Sequence, residues 1–91
     1  MATIIKADGS EENLVLEKTT SLKTLQKAVG GYIELLHTKD GRYMLCNEDG
    51  KSMNLSPNEK ATELWAGQNE IILGDVVVCD RIELDKGEGD E

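Results

Sequence analysis

Four successive apolar residues, Val76-Val77-Val78-Cys79, constrain this chain more than any other segment. A strand sends alternate side chains to opposite faces, so an unbroken apolar run must be covered on both. The segment is expected inside the molecule, under a helix on one side and under sheet or a partner chain on the other. Around it lie only 91 residues, one domain's worth, since two ordinary cores need about 100 residues each. Domains this short bury only about 60–65% of their unfolded surface. Pairing with itself as a homodimer would add to that.

Two strand pairs are expected before the apolar run. Ala2 to Lys6 is β-rich, Asp8 to Glu12 carries turn residues, and Asn13 to Glu17 resumes as strand. Tyr32 to His37 and Arg42 to Cys46 flank Thr38-Lys39-Asp40-Gly41, and Asp-Gly between such runs signals a hairpin. Glu70 to Leu73, Val76 to Cys79 and Arg81 to Leu84 give two or three further short strands.

Two short helices fit between these runs. Ser21 caps one in which Leu22, Leu25 and Val29 share a face, and Gly30-Gly31 ends it, because glycine accepts the left-handed C-terminal conformation. Ser56-Pro57-Asn58-Glu59 has the form of a capping box with proline at the first helical position. It predicts a helix from Pro57 to about Ala66, with Ala61, Leu64 and Trp65 inward and Gly67 at its end. The fold expected is α+β: a mostly antiparallel sheet of short strands with two short helices, one domain over 1–84. Residues 85–91 hold four acids, one lysine and no apolar residue, a disordered acidic tail on composition.

Charge narrows function. Eighteen acidic and ten basic residues give −8, which repels nucleic acid and anionic lipid. The tail supplies −3 of that and residues 1–84 the remaining −5, weak for a DNA mimic that must match roughly two charges per base-pair step. No stretch approaches the ~20 apolar residues of a membrane span, and Met1 to Lys6 lacks signal-peptide character. A cytoplasmic protein is expected. Cys46 and Cys79 lie in apolar runs and read as reduced core thiols.

Catalytic and ligand motifs are missing from the sequence. The one histidine, His37, accompanies no nucleophile elbow or cysteine-protease signature. The cysteines belong to no Cys-x-x-Cys pair, and aligning Gly50 with the glycine of a calcium loop leaves Leu45 and Ser56 at the end ligand positions. Gly30-Gly31 follows a helix instead of opening one, so it cradles no phosphate. The amides after Ser56, beside Asn54 and Asn58, could receive an anion, although a capping box already satisfies them. Neither a metal nor a cofactor is implied.

Acid pairs read mainly as solvated faces: Glu59 with Glu63 on a helix, Glu11 with Glu12 in a loop, and Glu34 with Glu48 near a sheet edge. Trp65 is expected to be the core's largest side chain, with Tyr32 and Tyr43 touching across their hairpin. A tyrosine facing solvent beside Arg42 or Arg81 could instead stack on a nucleotide.

Several phrases in order carry a resemblance: Leu25 with Val29-Gly30-Gly31-Tyr32-Ile33-Glu34, then Asn47-Glu48-Asp49-Gly50, Leu55-Ser56-Pro57-Asn58-Glu59-Lys60-Ala61-Thr62, and Ile72-Leu73-Gly74-Asp75-Val76-Val77-Val78. Over about residues 13 to 80 the chain resembles a small domain family of unknown function from bacteriophages, conjugative elements and bacteria of the gut and Bacillota type, sometimes near antirestriction genes. The resemblance implies a mobile-element accessory protein and points to Gly31, Tyr32, Glu34, Asn47, Glu48, Asn58 and Gly74 as positions to test. The function expected is non-enzymatic binding, an anti-defence or host-takeover module that occupies a host protein or sequesters a nucleotide-like ligand. Tyr32, Glu34, Asn47, Glu48 and Asn58 would form its binding edge. The alternatives are a small hydrolase or transferase with Glu34 or Glu48 as base, and a structural homo-oligomer subunit.

Overall fold

The computed structural model describes residues 2–15 and 21–80. Among the described residues seven elements follow in order: β1 (Ala2–Ile5), β2 (Glu11–Leu14), α1 (Ser21–Val29), β3 (Ile33–His37), β4 (Tyr43–Asn47), α2 (Glu59–Leu64) and β5 (Val76–Cys79). They build an α+β domain on one five-stranded sheet of order β2-β1-β5-β4-β3, in which every neighbouring pair is antiparallel. The two expected hairpins, β1–β2 and β3–β4, form its halves. The last strand among the described residues, β5, enters between them.

The apolar composition of β5 explains that place. All four of its residues are buried. Val77 and Cys79 join Ala2, Leu25, Val29 and Leu45 on the face covered by α1. Val76 and Val78 join Ile5, Met44, Ala61 and Ile72 on the opposite face, under α2 and the segment before β5. Both covers are therefore supplied by the chain itself, and no partner chain is required for the second.

Helix α1 ends as its glycines dictate: Gly30 adopts φ +82° and its amide bonds the Gln26 carbonyl at 2.8 Å. Leu25 and Val29 are buried against the sheet, while the side chain of Leu22 lies outside what is described. The two cysteines stand on opposite faces, Cys46 in the α2-side core and Cys79 in the α1-side core, so the sheet itself separates the thiols.

Several local expectations are corrected. Helix α2 begins two residues later than the Ser56 pattern predicts, and its cap is Asn58, with φ −114° and ψ 96°. The cause is a short pairing with the segment leading to β5: Gly74 N–H donates to the Ser56 carbonyl at 2.7 Å, Asn58 N–H to the Ile72 carbonyl at 2.8 Å, and Pro57 bridges Leu73. Those bonds hold Pro57 extended, so it cannot open the helix. At the other end α2 stops at Leu64, before Ala66 and Gly67, because Trp65 turns extended and pairs with Thr38.

Glu11 and Glu12 lie in β2, not in a loop, and are ion-paired to Lys60 and Lys6. The strand expected at Glu70 to Leu73 does not form: Ile72 donates to Thr62 Oγ1 at 2.9 Å and accepts from the Asn58 amide at 2.8 Å, and Leu73 makes one isolated bridge to Pro57. The expected strand at 81–84, the tail at 85–91 and the end of the first hairpin at Leu16 and Glu17 lie outside the described residues. Tyr43 does not meet Tyr32: it stacks at a tilt on His37, its cross-strand partner, with centroids 5.4 Å apart, whereas Tyr32 lies at the far end of the hairpin.

Candidate functional site

Beside β3, on the α2 face of the sheet, lies an open hollow of about 310 Å³. Its apolar lining comes from Leu36, Cys46, Ile72, Leu73 and Trp65, with Ile71 standing 61% exposed at the border. The carboxylates of Glu34, Glu48, Asp49 and Glu70 surround it with one cation, Lys51. All five charged side chains are solvent-exposed. The local balance is strongly negative, as it is for the whole chain.

Local folding explains why these groups meet. Glu34 pairs with Cys46 across the hairpin, which puts both on the α2 face. The turn after β4 is built by Asn47, whose Oδ1 accepts from the Asp49 amide at 2.8 Å while Gly50 N–H donates to its carbonyl at 3.3 Å. That turn sets Glu48, Asp49 and Lys51 along one side. Gly50 is buried against Leu73, where a β-carbon would come within 3.2 Å of the Leu73 Cβ, so the turn closes on the segment that carries Glu70 and Ile71.

The five sequence-derived candidates separate. Glu34, Asn47 and Glu48 line the hollow. Tyr32 is 69% exposed beside it, its carbonyl accepting from the Glu48 amide at 2.9 Å, but it is not part of the lining. Asn47 is buried, with Nδ2 donating to the Val29 carbonyl at 3.1 Å. This amide passes over Gly31, where a β-carbon would stand 3.0 Å from Nδ2. Asn47 therefore ties α1 to the turn, and only its place in the wall is open to a ligand.

Asn58 is removed from the binding edge altogether. It is fully buried, donates from Nδ2 to the carbonyls of Ile5 and Gly74, each at 2.9 Å, and accepts from the Ala61 amide at 3.0 Å. Every bond its amide makes is internal, holding β1, the turn before β5 and the start of α2 together. The anion seat expected after Ser56 disappears with the helix start that was to form it.

Glu70, Ile71, Asp49, Lys51 and Trp65 enter the site unannounced. Glu70 and Ile71 read as strand and Trp65 as core. Trp65 is half-buried against the α2-side core and also faces the hollow. His37 pairs with Tyr43 at the other end of β3, and Tyr43 packs into the α1-side core, so the imidazole sits on the opposite side of the sheet from Glu34. Burial and the nearby Glu34 push the Cys46 thiol up to about 11, leaving it protonated at neutral pH. Among the described residues no three His, Cys, Asp or Glu side chains gather to hold a metal, and no helix is long and apolar enough to cross a membrane.

An antiparallel sheet with a helix on each face, carrying an acidic hollow at one edge, defines a compact α+β domain. The chain belongs to the family described as Domain of unknown function (DUF3846), which matches residues 1–90. Neither the curated proteins nor the solved structures include a match.

Proposed function

We propose that this chain is a binding module which holds a basic, partly apolar segment of another protein in the hollow beside β3. One observation carries the reading: Glu34, Glu48, Asp49 and Glu70 surround an apolar floor that includes Trp65, with the exposed Ile71 at its border. Apolar stems of lysine or arginine would lie on that floor with their cationic ends among the carboxylates. The Trp65 indole adds an attractive face for a cation. The same carboxylates repel phosphate, which favours a protein partner over a nucleotide-like ligand. In the mobile-element setting that the resemblance implies, that partner is a host protein. Catalysis with Glu34 or Glu48 as base is a weaker reading, because both carboxylates are solvent-exposed on an open hollow, the histidine lies across the sheet and the one thiol in the hollow is protonated.

Trp65 is the chain's single tryptophan, so its emission reports binding directly. Titration with a blocked heptapeptide of alternating lysine and valine should change that emission and saturate. The double variant E34Q/E70Q should weaken binding by roughly tenfold, since exposed charge pairs contribute about 0.2–1 kcal/mol each. Raising salt should weaken it further as screening shortens. Binding that ignores both salt and the two substitutions would sink this reading.

A further inference from the structure

The hollow opens onto a sheet edge. In an antiparallel pair, alternate residues direct both backbone groups at the partner strand. The Tyr32 carbonyl bonds the Glu48 amide and the Thr38 amide bonds the Arg42 carbonyl at 2.9 Å. Residues 32, 34, 36 and 38 therefore face β4, and Ile33, Leu35 and His37 point their amides and carbonyls outward. One end of this edge is already closed: Ala66 N–H donates to the His37 carbonyl at 3.0 Å and Lys39 N–H to the Leu64 carbonyl at 2.8 Å. Among the described residues nothing pairs with the outward groups of Ile33 and Leu35.

The opposite edge of the sheet is guarded. β2 is four residues long and carries Glu11 and Glu12, each in an ion pair, the kind of charge that discourages strand pairing. β3 carries a single carboxylate, Glu34, and is otherwise apolar up to His37: Leu35 is 45% exposed on the α1 side of the edge and Ile71 61% exposed on the hollow side. An added strand would meet an apolar contact on each face.

Resting on the function proposed above, we propose that β3 is a docking strand: an extended protein segment pairs with the backbone of Ile33 and Leu35, sending alternate basic side chains over the hollow and the intervening apolar ones onto Leu35. Charge chooses this occupant over a second copy of the chain. Self-pairing through β3 would bring two sets of Glu34, Glu48, Asp49 and Glu70 side by side, whereas a lysine-bearing strand neutralises them. The pairing at Ala66 limits the docked segment to a few residues, so affinity comes from main-chain bonds with side-chain selection by alternation.

The test uses the full chain and the blocked lysine–valine heptapeptide. Amide hydrogen exchange at Ile33 and Leu35 should slow by about tenfold or more at saturating peptide, while Glu34 and Leu36, already bonded to β4, change little. Methylating one alternate set of peptide amides should abolish binding, and methylating the other set should leave it. L35P should also weaken binding about tenfold while keeping the β3–β4 pairing, because the Leu35 amide points away from β4. Peptide that perturbs Trp65 without slowing Ile33 and Leu35, or that binds equally with either amide set methylated, overturns strand docking and leaves the hollow as a binding site. Absence of any peptide effect overturns both. Protection of Ile33 and Leu35 that rises with protein concentration in the absence of peptide assigns the edge to a second copy and also overturns the proposal.

Discussion

Gly67 lies directly beneath the indole of Trp65: a β-carbon on Gly67 would come within 2.3 Å of Cζ2 and 2.5 Å of Cε2. The glycine is there for space, since its role is to leave room for the ring between the α2-side core and the hollow. Substituting G67A should force the indole outward, shift its emission to the red and weaken lysine–valine peptide binding several-fold. The stability loss should be about 1–3 kcal/mol, the usual cost of overpacking. Unchanged emission in G67A would show that the ring does not rest on this glycine.

Asn58 is the position whose loss should cost the fold most among the polar residues. N58A removes a helix cap, typically about 1 kcal/mol. It also leaves two buried carbonyls, those of Ile5 and Gly74, without their donor, each about 1–3 kcal/mol. A destabilisation of about 3 kcal/mol or more is expected by urea unfolding. N58D keeps the cap acceptor but aims a buried carboxylate at those carbonyls, so at neutral pH it should be the worse of the two. Equal stability of N58D and the parent would show that the side chain does not bridge β1 and the turn.

That residue also shows where sequence reading stops. Hairpins, the glycine end of α1 and the doubly covered strand β5 were legible because each depends on local rules: Asp-Gly turns, the left-handed tolerance of Gly30, and two-residue alternation. Asn58 and Ser56 are both good caps two positions apart, and only the long-range bonds from Ile72 and Gly74 decide between them. The hollow was half legible. Glu34 and Glu48 share a hairpin and so can be placed together, but Glu70 and Ile71 arrive from about 20 residues further along the chain through contacts with no local signature. Trp65 looked like core because its spacing marks an inward face, and spacing says nothing of how far a ring protrudes.

The thiols give a pH signature at the alkaline end. Burial, with Glu34 near Cys46 and Asp80 near Cys79, pushes both up to about 11, against about 8.5 for a free cysteine. Because the folded value is the raised one, the contribution is fully present below about pH 8.5. It is lost as pH climbs toward 11, where the unfolded chain ionises first. The melting temperature should therefore fall across this window, and a C46A/C79A variant should show a shallower fall whatever its starting stability. In the folded protein at pH 8, both thiols should react with a thiol reagent far more slowly than in urea. Rapid labelling of either under native conditions would contradict its burial.

At the acid end Asp40 in the β3–β4 turn gives a second signature. The Arg42 guanidinium grips its carboxylate, Nε at 3.1 and 3.0 Å from the two oxygens and Nη2 at 3.0 Å from one, and the Thr38 hydroxyl donates to it as well. Arg42 first, then Thr38, lower the carboxyl to about 2, below the ordinary ~3.9 of an aspartate. A depressed folded value stabilises the protein above pH ~3.9, and that contribution disappears as pH falls toward 2. Carbon-detected NMR titration of the Asp40 carboxyl should give a midpoint near 2 in the parent and an upward shift in R42Q. The same variant should flatten the loss of melting temperature between pH 4 and 2. A midpoint close to 4 in the parent would mean that the guanidinium does not hold this turn in solution.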